Sequence, residues 1–162
     1  RTYRVMVTLA DGKSRQLTDE SLADLSLSET GLYGIGADDR AYRGTVEYDT
    51  RYADHYLVNT ATGERRLLGK KRPGAYLWSP DGRYAMRFDS KDWHCLNVAT
   101  GAEVNLTSAL SVAFYNEDYD MTGLPNPYGV PSWTRDGKWI LLPDRFDLWQ
   151  ISPDGRLAKN LT

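Results

Sequence analysis

The stretch Trp78-Ser79-Pro80-Asp81-Gly82-Arg83-Tyr84 decides the fold, because related stretches recur at Leu27–Tyr33 and Trp133–Trp139. Each copy has a large apolar residue, then Ser or Thr, then a turn ending in Gly, with an aromatic residue two positions after that Gly. In two copies the turn is Asp-Gly, a strong hairpin signal because Gly tolerates the positive φ that such turns require. The copy at Thr30-Gly31 keeps only the Gly. The chain is therefore built from repeated β-hairpins.

A second recurring piece extends each hairpin to four strands. An Asp and an aromatic-rich stretch lead into a Gly turn, as in Asp92–Leu96 followed by Ala99-Thr100-Gly101. A short closing strand then ends the unit, as in Asn105-Leu106-Thr107. This repeat predicts an all-β fold, a β-propeller segment of about three and a half four-stranded antiparallel blades. A β-sandwich is the alternative, but a sandwich has no reason to repeat its sequence.

The same repeat predicts where the units lie. We expect one propeller fragment: a half blade at 1–18, a blade at 19–69 with a loop excursion at 38–53, a blade at 70–107, an insertion at 108–127 and a blade at 128–162. A closed ring needs about four to eight blades. We therefore expect a piece of a longer protein in preference to subunits that complete a ring together. The start at Arg1, which is not a Met, suggests a processed or trimmed chain.

The composition argues against several classes of protein. The formal net charge is −2, so the chain as a whole is not the strongly basic type that binds nucleic acid. No apolar run approaches the roughly 18 residues that a membrane span needs. Cys95 is the single cysteine, which excludes an intramolecular disulfide and a multi-cysteine metal site. The compartment stays open, with a periplasmic or secreted protein favoured over a cytoplasmic one.

The residue pattern contains no recognisable catalytic machinery. There is no Gly-x-Ser-x-Gly nucleophile elbow and no Gly-rich phosphate loop, and the two histidines are His55 and His94. Both histidines lie beside aromatic residues in predicted strands, where a structural role is much more common than a catalytic one. The recurring acids Asp81, Asp136 and Asp154 precede Gly, and Asp in that position stabilises a turn. We predict no catalytic residue, no metal site and no cofactor in this chain.

Two stretches interrupt the repeat, and binding residues tend to lie in such excursions. Asp38–Ala53 and Ser108–Tyr128 both mix aromatic with charged residues. Such a surface could meet a ligand, a peptide or another domain, or its aromatic residues could pack against the blade. A calcium site formed by Glu117, Asp118 and Asp120 is a further alternative, although the loop lacks the Gly-spaced ligand pattern. The candidate binding residues are Arg43, Glu47, Tyr115, Glu117, Asp118 and Tyr128.

Several of these motifs resemble known families. The Trp78–Tyr84 stretch, the Ala-Thr-Gly turn and the Asn-Leu-Thr ending resemble the TolB-like repeat, a relative of the WD repeat. A longer pattern is similar to the N-terminal propeller of bacterial prolyl oligopeptidase family serine peptidases, over about residues 3–162. It consists of Val112–Asp120, Pro127–Val130, Trp133–Gly137, Asp144–Trp149, Tyr42-Arg43, Tyr56–Val58 and Ala61–Arg65.

The second resemblance implies a role without catalysis. In that family the propeller precedes an α/β-hydrolase domain with the catalytic Ser, Asp and His, and covers the active site so that only short peptides enter. Some members hold the peptide amino terminus with propeller acids, for which Glu47, Glu117 and Asp118 are candidates by loop position. We therefore expect two partners, a hydrolase domain of the same parent chain and a short peptide, and we expect self-association through open blade edges.

Two other functions stay open at this point. A TolB-like propeller that acts as a protein-binding scaffold in the bacterial envelope is the main alternative. A sugar-acid lyase propeller with an axial metal is a third reading, but it would require a cluster of histidines that two residues hardly allow.

Overall fold

The computed structural model describes residues 2–45 and 50–162. These residues form four antiparallel β-sheets, one of two strands and three of four strands. Within each four-stranded sheet every strand pairs with the next strand along the chain, which makes the sheet a meander. The predicted all-β fold of repeated four-stranded units is confirmed. Among the described residues, no helix is long and apolar enough to cross a membrane.

The chain divides into two compact units. Of the described residues, the first unit holds 2–45 and 51–72, and the second holds 50 and 73–162. In the first unit, a two-stranded hairpin precedes one four-stranded sheet. Its strands are β1 (Val5–Val7), β2 (Ser14–Gln16), β3 (Leu25–Leu27), β4 (Tyr33–Asp38), β5 (Tyr52–Asn59) and β6 (Arg65–Pro73), the last of which ends at the border of the second unit.

The core of the first unit depends on two glycines of β4. Leu22 and Leu25 are fully buried there, together with Leu17 and Val58. A Cβ atom at Gly34 would lie 2.7 Å from Leu25 Cγ, and one at Gly36 would lie 2.7 Å from Leu22 Cγ. Both distances are far below van der Waals contact, so only glycine lets the leucines pack directly on the strand backbone.

The second unit contains two complete sheets. Their strands are β7 (Tyr76–Trp78), β8 (Tyr84–Phe88), β9 (Trp93–Asn97), β10 (Glu103–Asn105), β11 (Ser132–Trp133), β12 (Ile140–Pro143), β13 (Leu148–Ile151) and β14 (Ala158–Asn160). Apolar side chains of both sheets share one core with residues of the connecting segment: Met86, Trp93, Cys95, Leu106, Phe114, Ile140, Leu142 and Ile151. This continuous core holds the two sheets and their connection together.

The repeated turn is stabilised by the same bonds in each copy of the second unit. Asp81 accepts hydrogen bonds from the Ser79 hydroxyl at 2.7 Å and from the Arg83 backbone N–H at 3.0 Å, and Gly82 has a φ of +69°. Asp136 and Asp154 accept the corresponding pair of bonds in their own turns. The interpretation of these three acids as turn residues is confirmed.

Candidate functional site

The interruption Ser108–Tyr128 between the two sheets of the second unit, called the insertion from here on, folds back on itself. Asn116 donates its backbone N–H to the Asn126 carbonyl at 2.8 Å, and Tyr128 donates to the Phe114 carbonyl at 3.0 Å. Tyr115 also forms an isolated antiparallel bridge with Pro127. The two ends of the insertion therefore lie side by side.

Phe114 anchors this insertion to the sheet. Its side chain is 1% exposed, and its ring packs edge-on against Trp149 with 6.3 Å between the ring centroids. The aromatic residues of the insertion thus divide into two groups, since Tyr115 and Tyr128 stay partly exposed. The sequence left two alternatives for these aromatic residues, packing against the blade or exposure at the surface. Both occur, because Phe114 packs against the blade and Tyr115 and Tyr128 are partly exposed.

Glu117 and Tyr128 form a polar pair on the exposed side of the insertion. The Glu117 backbone N–H donates to the Tyr128 phenol oxygen at 3.0 Å, and the phenol donates to Glu117 Oε2 at 3.5 Å. The Glu117 side chain is exposed. A carboxylate with only one long hydrogen bond in the described chain retains acceptor capacity for an ammonium group or an N–H group of a ligand.

Asp118 connects the insertion to the β12–β13 loop. Its backbone N–H donates to Asn116 Oδ1 at 3.0 Å, and its carboxylate pairs with Arg145, with 2.7 Å between Asp118 Oδ2 and Arg145 Nη2. Both side chains are largely exposed, so this ion pair contributes little to the stability of the fold and mainly fixes the position of Arg145. The pair places Arg145 beside the acidic face of the insertion.

The β12–β13 loop is held by Asp144. Its carboxylate accepts hydrogen bonds from the backbone N–H groups of Phe146 and Asp147, both at 2.7 Å, and from Trp149 Nε1 at 2.8 Å. Burial raises the pKa of Asp144, but the hydrogen bonds from Asp147, Phe146 and Trp149 together outweigh it and lower that pKa. A charged, well-bonded Asp144 makes this loop a rigid corner.

The corner presents Arg145 and Phe146 to solvent. Phe146 is 84% exposed, and the Arg145 guanidinium lies 5.3 Å from its ring centroid. The β8–β9 corner is built in the same way, because Asp89 accepts from the Lys91 and Asp92 backbone N–H groups. In the β8–β9 corner, Lys91 occupies the position that Phe146 occupies in the β12–β13 corner. This type of corner therefore does not require an aromatic residue at that position.

The structure therefore assembles four of the six predicted binding residues in one place. Tyr115, Glu117, Asp118 and Tyr128 lie in one folded insertion, and Arg145 and Phe146 adjoin it. The sequence reasoning did not select Arg145 or Phe146. The signal that could have found them is the repeated Asp-x-x-Asp spacing, at 89–92 and 144–147, with a bulky apolar residue in the exposed third position of only the second.

Arg43 lies in the first unit, in different surroundings. It pairs with Asp39 at 2.7 Å, and this partner raises the pKa of the guanidinium. Arg43, Asp39, Tyr42, Arg51 and Tyr52 line a shallow cavity of about 230 Å³. The Tyr42 phenol donates to Asp54 Oδ1 at 2.5 Å, and that bond raises the pKa of Tyr42. Glu47, the sixth predicted residue, lies outside the described residues.

No metal centre is formed within the described ranges. Among residues 2–45 and 50–162, no three His, Cys, Asp or Glu side chains are grouped so that they could hold a metal ion.

No protein-family model and no curated protein sequence matches this chain. Solved structures do match it. Dipeptidyl peptidase 4 of Porphyromonas gingivalis has a TM-score of 0.64 and 15% sequence identity, over 100% of this chain and 30% of the peptidase. A putative TolB of Agrobacterium tumefaciens has a TM-score of 0.50 and 21% identity, over 98% of this chain and 54% of that protein.

The fold is a segment of a β-propeller. At these identities the likeness establishes the fold alone, and it agrees with the TolB-like and peptidase-type propeller that the sequence resembles. The chain spans less than two thirds of the length of either solved protein.

Proposed function

We propose that this chain is the non-catalytic propeller segment of a prolyl oligopeptidase family peptidase, where it controls the access of short peptides to a hydrolase domain of the parent protein. The observation that carries the proposal is the folded insertion, which presents Glu117, Asp118, Tyr128 and Arg145 beside the exposed Phe146. The match of the whole of this chain to about a third of a dipeptidyl peptidase 4 supports it.

The chemistry of this surface suits a peptide. Glu117 can accept hydrogen bonds from a peptide amino terminus, Arg145 can donate to a peptide carbonyl, and Phe146 offers an apolar contact. Such groups orient a substrate without taking part in bond cleavage. In this proposal the hydrolase domain performs acyl transfer, and this surface selects and orients what reaches it.

The test uses the intact parent protein. With a peptide amide that has a free amino terminus, we expect Glu117→Gln to raise KM about twofold to fivefold and to leave kcat unchanged, since one exposed ion pair is lost. With the N-acetylated peptide, KM should not change. Glu64→Gln, which removes an exposed carboxylate from the β5–β6 turn, is the matched control.

Two results would reject the proposal. A parent protein without a hydrolase domain would remove its basis, and equal KM values for Glu117→Gln and wild type on the free amino-terminal peptide would exclude the insertion as a substrate contact. The described chain by itself should hydrolyse no peptide amide or ester.

A scaffold that binds proteins in the bacterial envelope is the second candidate. The match to a putative TolB favours it, because that likeness also extends over nearly the whole chain. A parent protein that contains only further repeats, or a small α/β domain before them, would support this function over the peptidase.

A further inference from the structure

The last strand of the sheet in the first unit is strongly basic. β6 contains Arg65, Arg66, Lys70, Lys71 and Arg72 within nine residues. Residues 2–45 and 51–72 together hold eleven Lys or Arg against nine Asp or Glu, whereas residues 73–162 hold eight against eleven. The small net charge of the chain therefore conceals a basic first unit, whose densest stretch is β6.

Three of these five cations have exposed side chains. Arg65 is used internally, because it pairs with Asp19 at 3.0 Å and donates to the Leu17 carbonyl at 2.9 Å. Arg66, Lys70 and Lys71 are exposed, and so is Leu67, at 43%. Arg66 and Lys70 are four residues apart, so strand alternation places them on one side and Leu67 on the other.

β6 also has a free edge within the described chain. It is the terminal strand of its sheet and pairs with β5 on one side, and no other described strand pairs with it. The N–H and C=O groups along the open side can therefore accept a further strand. Lys and Arg side chains along such an edge oppose pairing with a second, equally basic copy of β6, but they favour a strand of opposite charge.

We propose that β6 binds an extended acidic segment of another protein as an added strand. Carboxylates on one side of the segment would lie near Arg66 and Lys70, and an aliphatic residue on its other side would contact Leu67. The backbone of the segment would pair with the open edge, which is the established mode of strand addition. Nucleic acid and anionic lipid could use the cations, but neither can form a ladder of hydrogen bonds with both the N–H and the C=O groups of a strand edge, so a polypeptide fits all three features.

The experiment measures binding of a capped, fluorescent peptide that alternates Glu and Val to the full chain by anisotropy. We expect saturable binding, and about tenfold weaker binding for the double variant Arg66→Glu and Lys70→Glu, since two favourable charge contacts become unfavourable. Lys159→Glu reverses a charge in β14, the terminal strand of another sheet, and should leave the affinity unchanged. Circular dichroism confirms that each variant is folded.

Backbone pairing is tested separately from charge. A peptide of the same sequence that is N-methylated on the edge-facing amides should bind at least tenfold more weakly, because it cannot donate to β6. Equal binding of the methylated peptide, equally tight binding of an oligonucleotide or of anionic lipid vesicles, or no binding at all would overturn the proposal. None of these outcomes decides the peptidase proposal, because the test of that proposal concerns Glu117 in the second unit.

Discussion

A single carboxylate organises the corner that carries Arg145 and Phe146. Asp144 is 8% exposed and accepts three hydrogen bonds, two from backbone N–H groups and one from Trp149. We expect Asp144→Ala to lower the free energy of unfolding by about 2–3 kcal/mol, because these donors lose a charged acceptor. Asp144→Asn should cost less, since one oxygen remains. Urea denaturation measures both, and an unchanged midpoint for the alanine variant would contradict this role.

Cys95 provides a second prediction at the residue scale. Burial in the core of the second unit raises the pKa of its thiol to about 12, with a smaller contribution from the charge of Glu103. Because the thiolate is the reactive form, the native protein should not react with a disulfide reagent at pH 8, whereas the urea-unfolded chain should react with one equivalent. Rapid labelling of the native protein would show that the core opens readily.

The residue types in the insertion predicted part of the candidate site, but they did not predict which residues contact each other. The mixture of acids and tyrosines marked the insertion as exceptional, and Glu117, Asp118 and Tyr128 do lie together. Phe114 stands next to Tyr115 in the sequence, yet only the three-dimensional packing on Trp149 separates the anchor from the exposed ring. The Asp118–Arg145 pair joins residues 27 apart, and no local pattern identifies such a partner.

At the scale of elements, the two glycines of β4 show how a strand accommodates its neighbours. Gly34→Ala should lower the free energy of unfolding by about 1–3 kcal/mol, because the new Cβ would overlap Leu25 and force the core of the first unit to shift. Gly44→Ala is the control, since a Cβ at that position meets nothing within 4 Å. Equal melting temperatures of the two variants would refute the packing argument.

The elements themselves were predictable to different degrees. The Asp-Gly turns carry their own chemistry, so Asp81 and Asp136 marked the hairpins from the sequence alone. The copy at Thr30-Gly31 lacks the Asp, but Thr30 replaces it by a hydroxyl contact with Ser28 at 3.1 Å. Gly34 and Gly36 carried no such signal. Their role depends on Leu22 and Leu25, which lie outside β4. From the sequence alone, glycine inside a strand is only an unfavourable residue, because it weakens the strand.

At the scale of the whole molecule, repetition explains why the fold class was predictable and the function was not. Repeated strands and turns identify a propeller segment, and the solved structures of a peptidase and of a putative TolB share that architecture. Function depends on the excursions and on charge distribution, which the repeat does not encode. β6 illustrates this, because it is strongly basic although the net charge of the whole chain is only −2. Self-association through open edges stays a prediction, and like charges on β6 argue against that edge as the contact.

Stability as a function of pH is the last property that belongs to the whole chain. Hydrogen bonds and cations lower the pKa of seven described carboxylates, namely Asp19, Asp38, Asp81, Asp89, Asp136, Asp144 and Asp154. At Asp19 the Ser21 hydroxyl, with backbone N–H groups and Arg65, lowers the pKa from 3.8 to about 2. A carboxylate with a lowered pKa stabilises the folded state above the unfolded value of 3.8 and loses that contribution as the pH falls towards its folded pKa.

We therefore expect the urea midpoint to be constant between about pH 7 and pH 5 and to fall steeply between about pH 5 and pH 2, where the unfolded chain binds more protons than the folded one. Asp19→Asn should be less stable than wild type at neutral pH and should show a shallower fall below about pH 4, because it has no proton to take up. Glu29→Gln, an exposed carboxylate in the β3–β4 turn, is the control and should keep the wild-type slope. A midpoint that stays constant down to about pH 2 would mean that the turn carboxylates do not stabilise the propeller segment.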